Sequence, residues 1–135
     1  YCLDYVNNSS KIVVGNKAVP GDISLTYTPL IINPIYPFFY YLGLEAVSIG
    51  RKRMNLPFNS ATFDSKGNGG TIIDSGTSFT IFPEAMYSQI AGEFASQIGY
   101  KRVPGAESTT GLGLCYNVSG VENTQFPQFA FHFKG

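Results

Sequence analysis

A chain of 135 residues with nine Lys and Arg against nine Asp and Glu carries no net charge, and only 13% of it is charged while 44% is hydrophobic and 15% aromatic. That balance excludes a disordered tail, which needs low hydrophobicity and high net charge. It also excludes an electrostatic nucleic-acid binder, whose affinity comes from Lys and Arg on phosphates; the compact basic run Arg51-Lys52-Arg53 reads as a solvated turn beside Gly50.

Eight prolines and fifteen glycines punctuate short runs rich in Ile, Val, Thr, Tyr and Phe, the pattern of a mainly β fold. In chain order the predicted strands are 11–14, 24–28, 38–43, 45–49, 71–73, 79–82, 100–103, 114–118 and 129–133. Turn chemistry lies between them at Val14-Gly15-Asn16, Pro20-Gly21-Asp22, Lys66-Gly67-Asn68-Gly69-Gly70 and Pro104-Gly105. One segment departs from the pattern. From Pro83-Glu84 onward Tyr87, Ile90, Ala91, Phe94 and Ile98 recur at helical spacing and end at Gly99, predicting one amphipathic helix over about 83–99.

The longest apolar stretch, 30–44, is interrupted by Asn33, Pro34 and Pro37, so no membrane-spanning helix is expected. Tyr1 opens without an initiator methionine, a basic n-region or an apolar h-region, and both ends read as cut inside strands, so the chain is expected to be an excerpt from a longer protein. Two cysteines, Cys2 and Cys115, form no CxxC motif, and with a single histidine they leave no zinc set and no expected metal or cofactor. They could pair with each other or with partners outside the chain. Three sequons, at Asn7, Asn8 and Asn117, are candidate glycosylation sites and point to a secreted protein. His132, alone on an alternating strand among phenylalanines, reads as structural.

The stretch that carries chemistry runs from Gly69 to Thr80. An apolar strand leads straight into Asp74-Ser75-Gly76-Thr77-Ser78 and leaves as a second apolar run toward the helix. A carboxylate placed there sits on a tight turn where glycine permits close backbone approach. The hydroxyls of Ser75, Thr77 and Ser78 and the Gly76 N–H are donors that can hold it ionised and oriented. An ordinary Asx-turn between strands uses the same residues. There is no Gly-x-Ser-x-Gly elbow and no phosphate- or dinucleotide-binding glycine pattern.

Residues 70–83, G-T-I-I-D-S-G-T-S-F-T-I-F-P, closely resemble the second active-site motif of pepsin-like aspartic proteases, in the wording of the plant atypical, nepenthesin- and nucellin-like branch. The resemblance extends over most of the chain: Tyr1-Cys2-Leu3, Tyr27-Thr28-Pro29-Leu30, Phe39-Tyr40-Tyr41-Leu42, Val47-Ser48-Ile49-Gly50, Leu114-Cys115-Tyr116 and Phe126-Pro127 all resemble segments of that branch. It implies the C-terminal lobe of a bilobal enzyme, truncated at both ends. It also implies a reaction in which two aspartates share a proton and activate a water against a peptide carbonyl. Asp74 matches the catalytic aspartate of this lobe, Gly76 the supporting amide and Thr77 a hydroxyl at the substrate edge. Ser75 matches the hydroxyl that crosses to the other lobe, and Ile72 a wall of a substrate pocket.

The other aspartates, Asp4, Asp22 and Asp64, are followed by no Ser/Thr-Gly pair. The resemblance therefore implies a missing N-terminal lobe as partner, a peptide as substrate and no activity of the 135 residues alone. It also implies that Cys2 and Cys115 pair with cysteines beyond Gly135, and that the protein is apoplastic or vacuolar. Two other readings use the same scaffold: a non-catalytic binding protein like the cereal xylanase inhibitors, and a half-protease of the retroviral type whose two copies each donate Asp74. The unbroken Asp74–Thr77 tetrad favours the enzyme over the first, and the longer, helix-bearing lobe disfavours the second.

Overall fold

The computed structural model describes residues 4, 6–7, 9–19, 21, 24–56, 60 and 62–135. In chain order its elements are β1 (Leu30–Ile31), β2 (Tyr41–Leu42), β3 (Leu44–Ile49), β4 (Lys52–Asn55), β5 (Thr71–Ile72), α1 (Glu84–Ser96), β6 (Lys101–Arg102), α2 (Pro104–Thr110), β7 (Tyr116–Asn117) and β8 (Phe129–Phe133), with a 3-10 turn at Gly15–Ala18. The strands form three antiparallel ladders, β1-β2-β5, β4-β3-β8 and β6-β7.

β3 is the centre. Its β-branched Val47 and Ile49 are fully buried, on the sheet face shared by Met54, Phe129 and Phe131, their paired neighbours on β4 and β8. The register between β3 and β8 shifts between Leu44 and Ala46. This irregularity at Glu45 brings Leu44 into the same cluster as Val47, although three residues of regular strand would put them on opposite faces. α1 covers that face with Met86 and Ile90, one helical turn apart and both buried, while Phe82 and Phe94 pack alongside. At the sheet's edge Lys52 pairs with Glu93 of α1, and the Gln97 side-chain amide donates to the Ile49 carbonyl at 3.0 Å.

The mainly β architecture and the helix near 83–99 match expectation, and strand 129–133 is found as read. Other segments differ for identifiable reasons. Residues 11–14 form no strand among the described residues, only a β-bridge at Lys11: Ile12 and Val14 are 77% and 80% exposed, and the chain turns at once into the 3-10 segment. Residues 24–28 likewise stay outside the ladders; Thr28 instead hydrogen-bonds the Lys134 carbonyl at 2.7 Å. Residues 79–82 form no strand and have no ladder partners among the described residues, and Phe82 stacks on Phe131. Of 38–43, only Tyr41 and Leu42 are strand, while Leu30–Ile31 is a short strand that periodicity did not single out. The basic run is a turn only at Arg51, since Lys52 and Arg53 lie in β4.

The helix ends three residues before Gly99, closed by Gln97 in a right-handed conformation rather than by glycine. Its buried side chains include Met86, while Tyr87 is part exposed. Pro104-Gly105, read as a turn, opens α2. Proline at its first position, Glu107 in the first turn and a left-handed Gly111 (φ +72°) whose N–H bonds the Glu107 carbonyl are full start and stop signals. Cys2, Asn8, Pro20 and Asp22 lie outside the described residues.

Truncating Ile49 to alanine removes a fully buried side chain from the central cluster, so a loss of about 2–5 kcal/mol is expected. Ile32→Ala, at a position 80% exposed, is expected to stay within about 0.5 kcal/mol. Denaturant unfolding of the two variants checks this, and equal losses would contradict the assigned core.

Candidate active site

The sequence Thr71-Ile72-Ile73 enters the site as strand because β2 supplies its partners. Ile72 pairs with Tyr41, Thr71 with Leu42, and the Ile73 N–H adds one more rung to the Tyr40 carbonyl at 2.9 Å. The ladder stops at Asp74 because the next residues spend their donors on the aspartate itself. The Gly76 N–H donates to Asp74 Oδ1 at 2.8 Å and the Thr77 hydroxyl to Oδ2 at 2.7 Å. A Cβ at residue 76 would lie 3.3 Å from Asp74 Oδ1, so glycine is what lets the turn close this tightly on its carboxylate.

Asp74 is exposed. Its pKa is lowered from 3.8, first by the Thr77 hydroxyl and then by the Gly76 N–H. Both donors favour the ionised form, which accepts at both oxygens. The arrangement holds a charged carboxylate in a fixed orientation while leaving it open to solvent.

Asp74 and Thr77 lie on a groove of about 900 Å³. Its walls are apolar: Phe39 and Leu42 beside β2, Ile72 and Ile73 of the entering strand, Phe79 and Ile81 of the leaving segment, and Met86, Phe131 and Phe133 from the core side. Asp74 is the only carboxylate among its lining residues, with Ser78 and Thr80 adding hydroxyls. Two-carboxylate chemistry at this groove therefore requires an acid from outside the residues that line it. No group of three or more His, Cys, Asp or Glu that could hold a metal occurs among the described residues, and no helix is long and apolar enough to cross a membrane.

Of the residues singled out in the sequence, Asp74, Gly76 and Thr77 are joined by hydrogen bonds, and Ile72 shares the groove with Asp74 and Thr77. Ser75 is exposed, does not line the groove and makes no hydrogen bond among the described residues; Ser78 lines the groove but likewise makes none. His132 is half-buried with Nε2 2.7 Å from Ser48 Oγ, on the sheet face away from α1. Cys115 is free among the described residues, with Sγ 3.8 Å from Thr110 Oγ1. Of the glycosylation candidates Asn7 is bonded to Asp4 and Asn117 stands exposed on β7, both remote in sequence from the groove-lining residues. The aromatic walls Phe39, Phe79 and Phe131 were not singled out. For Phe79 the signal in the sequence is only that an apolar run follows the tetrad, which a strand explains equally well; Phe39 and Phe131 are far from it in sequence.

Because the folded pKa of Asp74 lies below its unfolded value, its two hydrogen bonds stabilise the turn in full above the ordinary carboxyl range. Their contribution is lost as pH falls through the folded value. Thr77→Val removes the larger cause and is expected to raise the Asp74 titration midpoint toward 3.8. Carboxyl-carbon NMR titration of this chain reads the shift, and an unmoved midpoint would mean that the hydroxyl does not set the charge.

Residues 39–135 match the protein family described as xylanase inhibitor C-terminal. The chain is 36% identical over 141 residues to aspartic proteinase nepenthesin-1 of Nepenthes gracilis, covering 100% of this chain and 31% of that protein. It is 36% identical over 139 residues to aspartyl protease family protein 2 of Arabidopsis thaliana, covering 100% and 28%. It is 32% identical over 135 residues to protein ASPARTIC PROTEASE IN GUARD CELL 2 of the same plant, covering 98% and 28%. The chain thus spans less than a third of the length of these relatives. No solved structure matches it. Match and geometry agree, and the chain belongs to the xylanase-inhibitor C-terminal family, the C-terminal lobe of plant pepsin-like aspartic proteases.

Proposed function

We propose that this chain supplies one of the two catalytic aspartates of an aspartic endopeptidase, with Asp74 as that residue. The observation that carries the reading is the exposed Asp74 carboxylate, held by the Gly76 amide and the Thr77 hydroxyl on an apolar groove. A second carboxylate brought within a few ångströms cannot ionise alongside the first without large repulsion, so the pair keeps one proton between them. The ionised member takes a proton from a bound water as its oxygen attacks the peptide carbonyl. The protonated member gives its proton to the carbonyl oxygen, and the tetrahedral adduct collapses with protonation of the leaving amine. The donors on Asp74 favour it as the ionised member of such a pair. The apolar walls then hold an extended peptide, with Ile72 and Thr77 at its edge.

In this reading the second aspartate comes from an N-terminal lobe of the same protein. Ser75, unbonded among the described residues, is the hydroxyl that reaches across to it. The protein is secreted or vacuolar, and Cys115 pairs with a cysteine beyond Gly135. The 135-residue chain by itself is inactive, because its groove holds one acid.

The second reading, a non-catalytic binding protein, draws on the family's own description as xylanase inhibitor C-terminal. The intact tetrad and the protease names of the relatives favour the enzyme.

Full-length protein carrying this segment is expected to cleave peptides in acid. Activity should fall as pH rises through the upper apparent pKa of the aspartate pair, where the shared proton is lost. Asp74→Asn, which keeps the side chain's size and removes its charge, is expected to lower turnover about 10²–10⁴-fold or more. A folded full-length protein that is inert across the acid range would overturn the enzyme reading and leave the binding protein. Cleavage by the purified 135-residue chain that depends on Asp74 would instead show two copies pairing their aspartates.

A further inference from the structure

The sequons differ sharply in what the fold has done with their polar groups. At Asn7 both ends of the motif are already engaged. The Asn7 side-chain amide donates to Asp4 Oδ2 at 3.1 Å, and the Ser9 hydroxyl donates to the same oxygen at 2.7 Å. Asp4 Oδ1 takes the backbone N–H groups of Val6 and Asn7, each at 3.0 Å. These donors, the Asn7 backbone N–H first, bring the Asp4 pKa to about 2. A sugar on Asn7 would be attached to the nitrogen that helps close this knot.

Asn117 is the opposite case. It is exposed, at the end of β7, whose sole ladder partner among the described residues is β6. Its Oδ1 accepts the Ser119 N–H at 2.9 Å, which folds the side chain along its own backbone. Val121 N–H then bonds the Val118 carbonyl at 3.1 Å and turns the chain away. Among the described residues, Asn117 Nδ2 and the Ser119 hydroxyl have no hydrogen-bond partner, so both groups that define the motif stand accessible. β7 contributes no fully buried residue, so nothing packed is displaced by an adduct.

We propose that Asn117 is an N-glycan attachment site and that Asn7 is not. The donor is a lipid-pyrophosphate-linked oligosaccharide of the secretory pathway. Asn117 Nδ2 forms a bond to the sugar's anomeric carbon as the carbon–oxygen bond to pyrophosphate breaks. That bond's electron pair leaves with the pyrophosphate, and one Nδ2 proton passes to base. The groove on which Asp74 lies takes no lining residue from the sequence between Met86 and Phe131, so the glycan is attached outside the groove wall. It shields instead the open edge of β7, the kind of unpaired strand edge that recruits other strands. The inference rests on passage through the secretory pathway and not on catalysis, so it and the peptidase reading can fail separately.

The test is peptide mapping of full-length protein secreted from yeast, with enzymatic deglycosylation in ¹⁸O-water, which marks each formerly glycosylated asparagine as labelled aspartate. Label is expected at Asn117 in most molecules and at Asn7 in few. Asn117→Gln and Ser119→Ala should each remove one glycan from the intact mass. An unlabelled residue 117 in the secreted wild-type protein overturns the proposal even if a variant fails to fold, as does label concentrated at Asn7.

Discussion

The burial of Val47 and Ile49 beneath α1 is the contact on which the rest of the structure depends. Both are fully buried and share a cluster with Met86 and Ile90, and burying such side chains contributes about 1.5–3 kcal/mol each. The consequence for the site is geometric. The 74–82 segment is tied at both ends to one continuous stretch of chain: at its start by the β5 rungs to residues 40–42, and at its end by α1 lying on β3. Only Gly43 separates β2 from β3. A loop of nine residues, 74–82, is therefore held at its two ends by a single β2–β3 unit, which fixes where its first residue, Asp74, can lie.

Within that frame the state of Asp74 is a local property. Its charge is set by donors two and three residues away, the Gly76 amide and the Thr77 hydroxyl, and needs nothing from the distant core. What local structure cannot provide is the second acid. The turn's donors make Asp74 a stronger acid and a weaker base, since every bond to the ionised form favours loss of the proton. A catalytic pair needs a partner that keeps the proton. In the proposed reading, the same hydrogen bonds that orient this carboxylate leave the shared proton to its counterpart.

These two scales decide what could be read in the sequence. The tetrad was legible because its chemistry is complete within four consecutive residues, and the helix was legible because its period is internal. Strand 129–133 was legible from strict alternation. The runs at 11–14 and 79–82 have the same β-forming composition, yet whether they pair depends on partners that composition does not name, and among the described residues neither joins a ladder. α2 escaped notice for a different reason: Pro104-Gly105 reads as a turn unless Gly111 is read with it as the matching stop. The groove itself was invisible, because its walls come from residues 39 to 133 and are brought together only by the sheets.

The groove also accounts for part of the apolar surface that this chain of zero net charge exposes. Phe79 and Ile81 are 72% and 80% exposed, Ile73 is 54% and Phe39 is 45%; all four line the groove with Asp74. Scattered apolar residues on a surface are ordinary, but a contiguous set around one polar group marks a contact site. Water around such walls gains little by solvating them, and a chain laid along them would release it. It would also place its backbone beside a carboxylate that is already ionised and oriented. The apolar walls and the single lining carboxylate are thus two aspects of one surface.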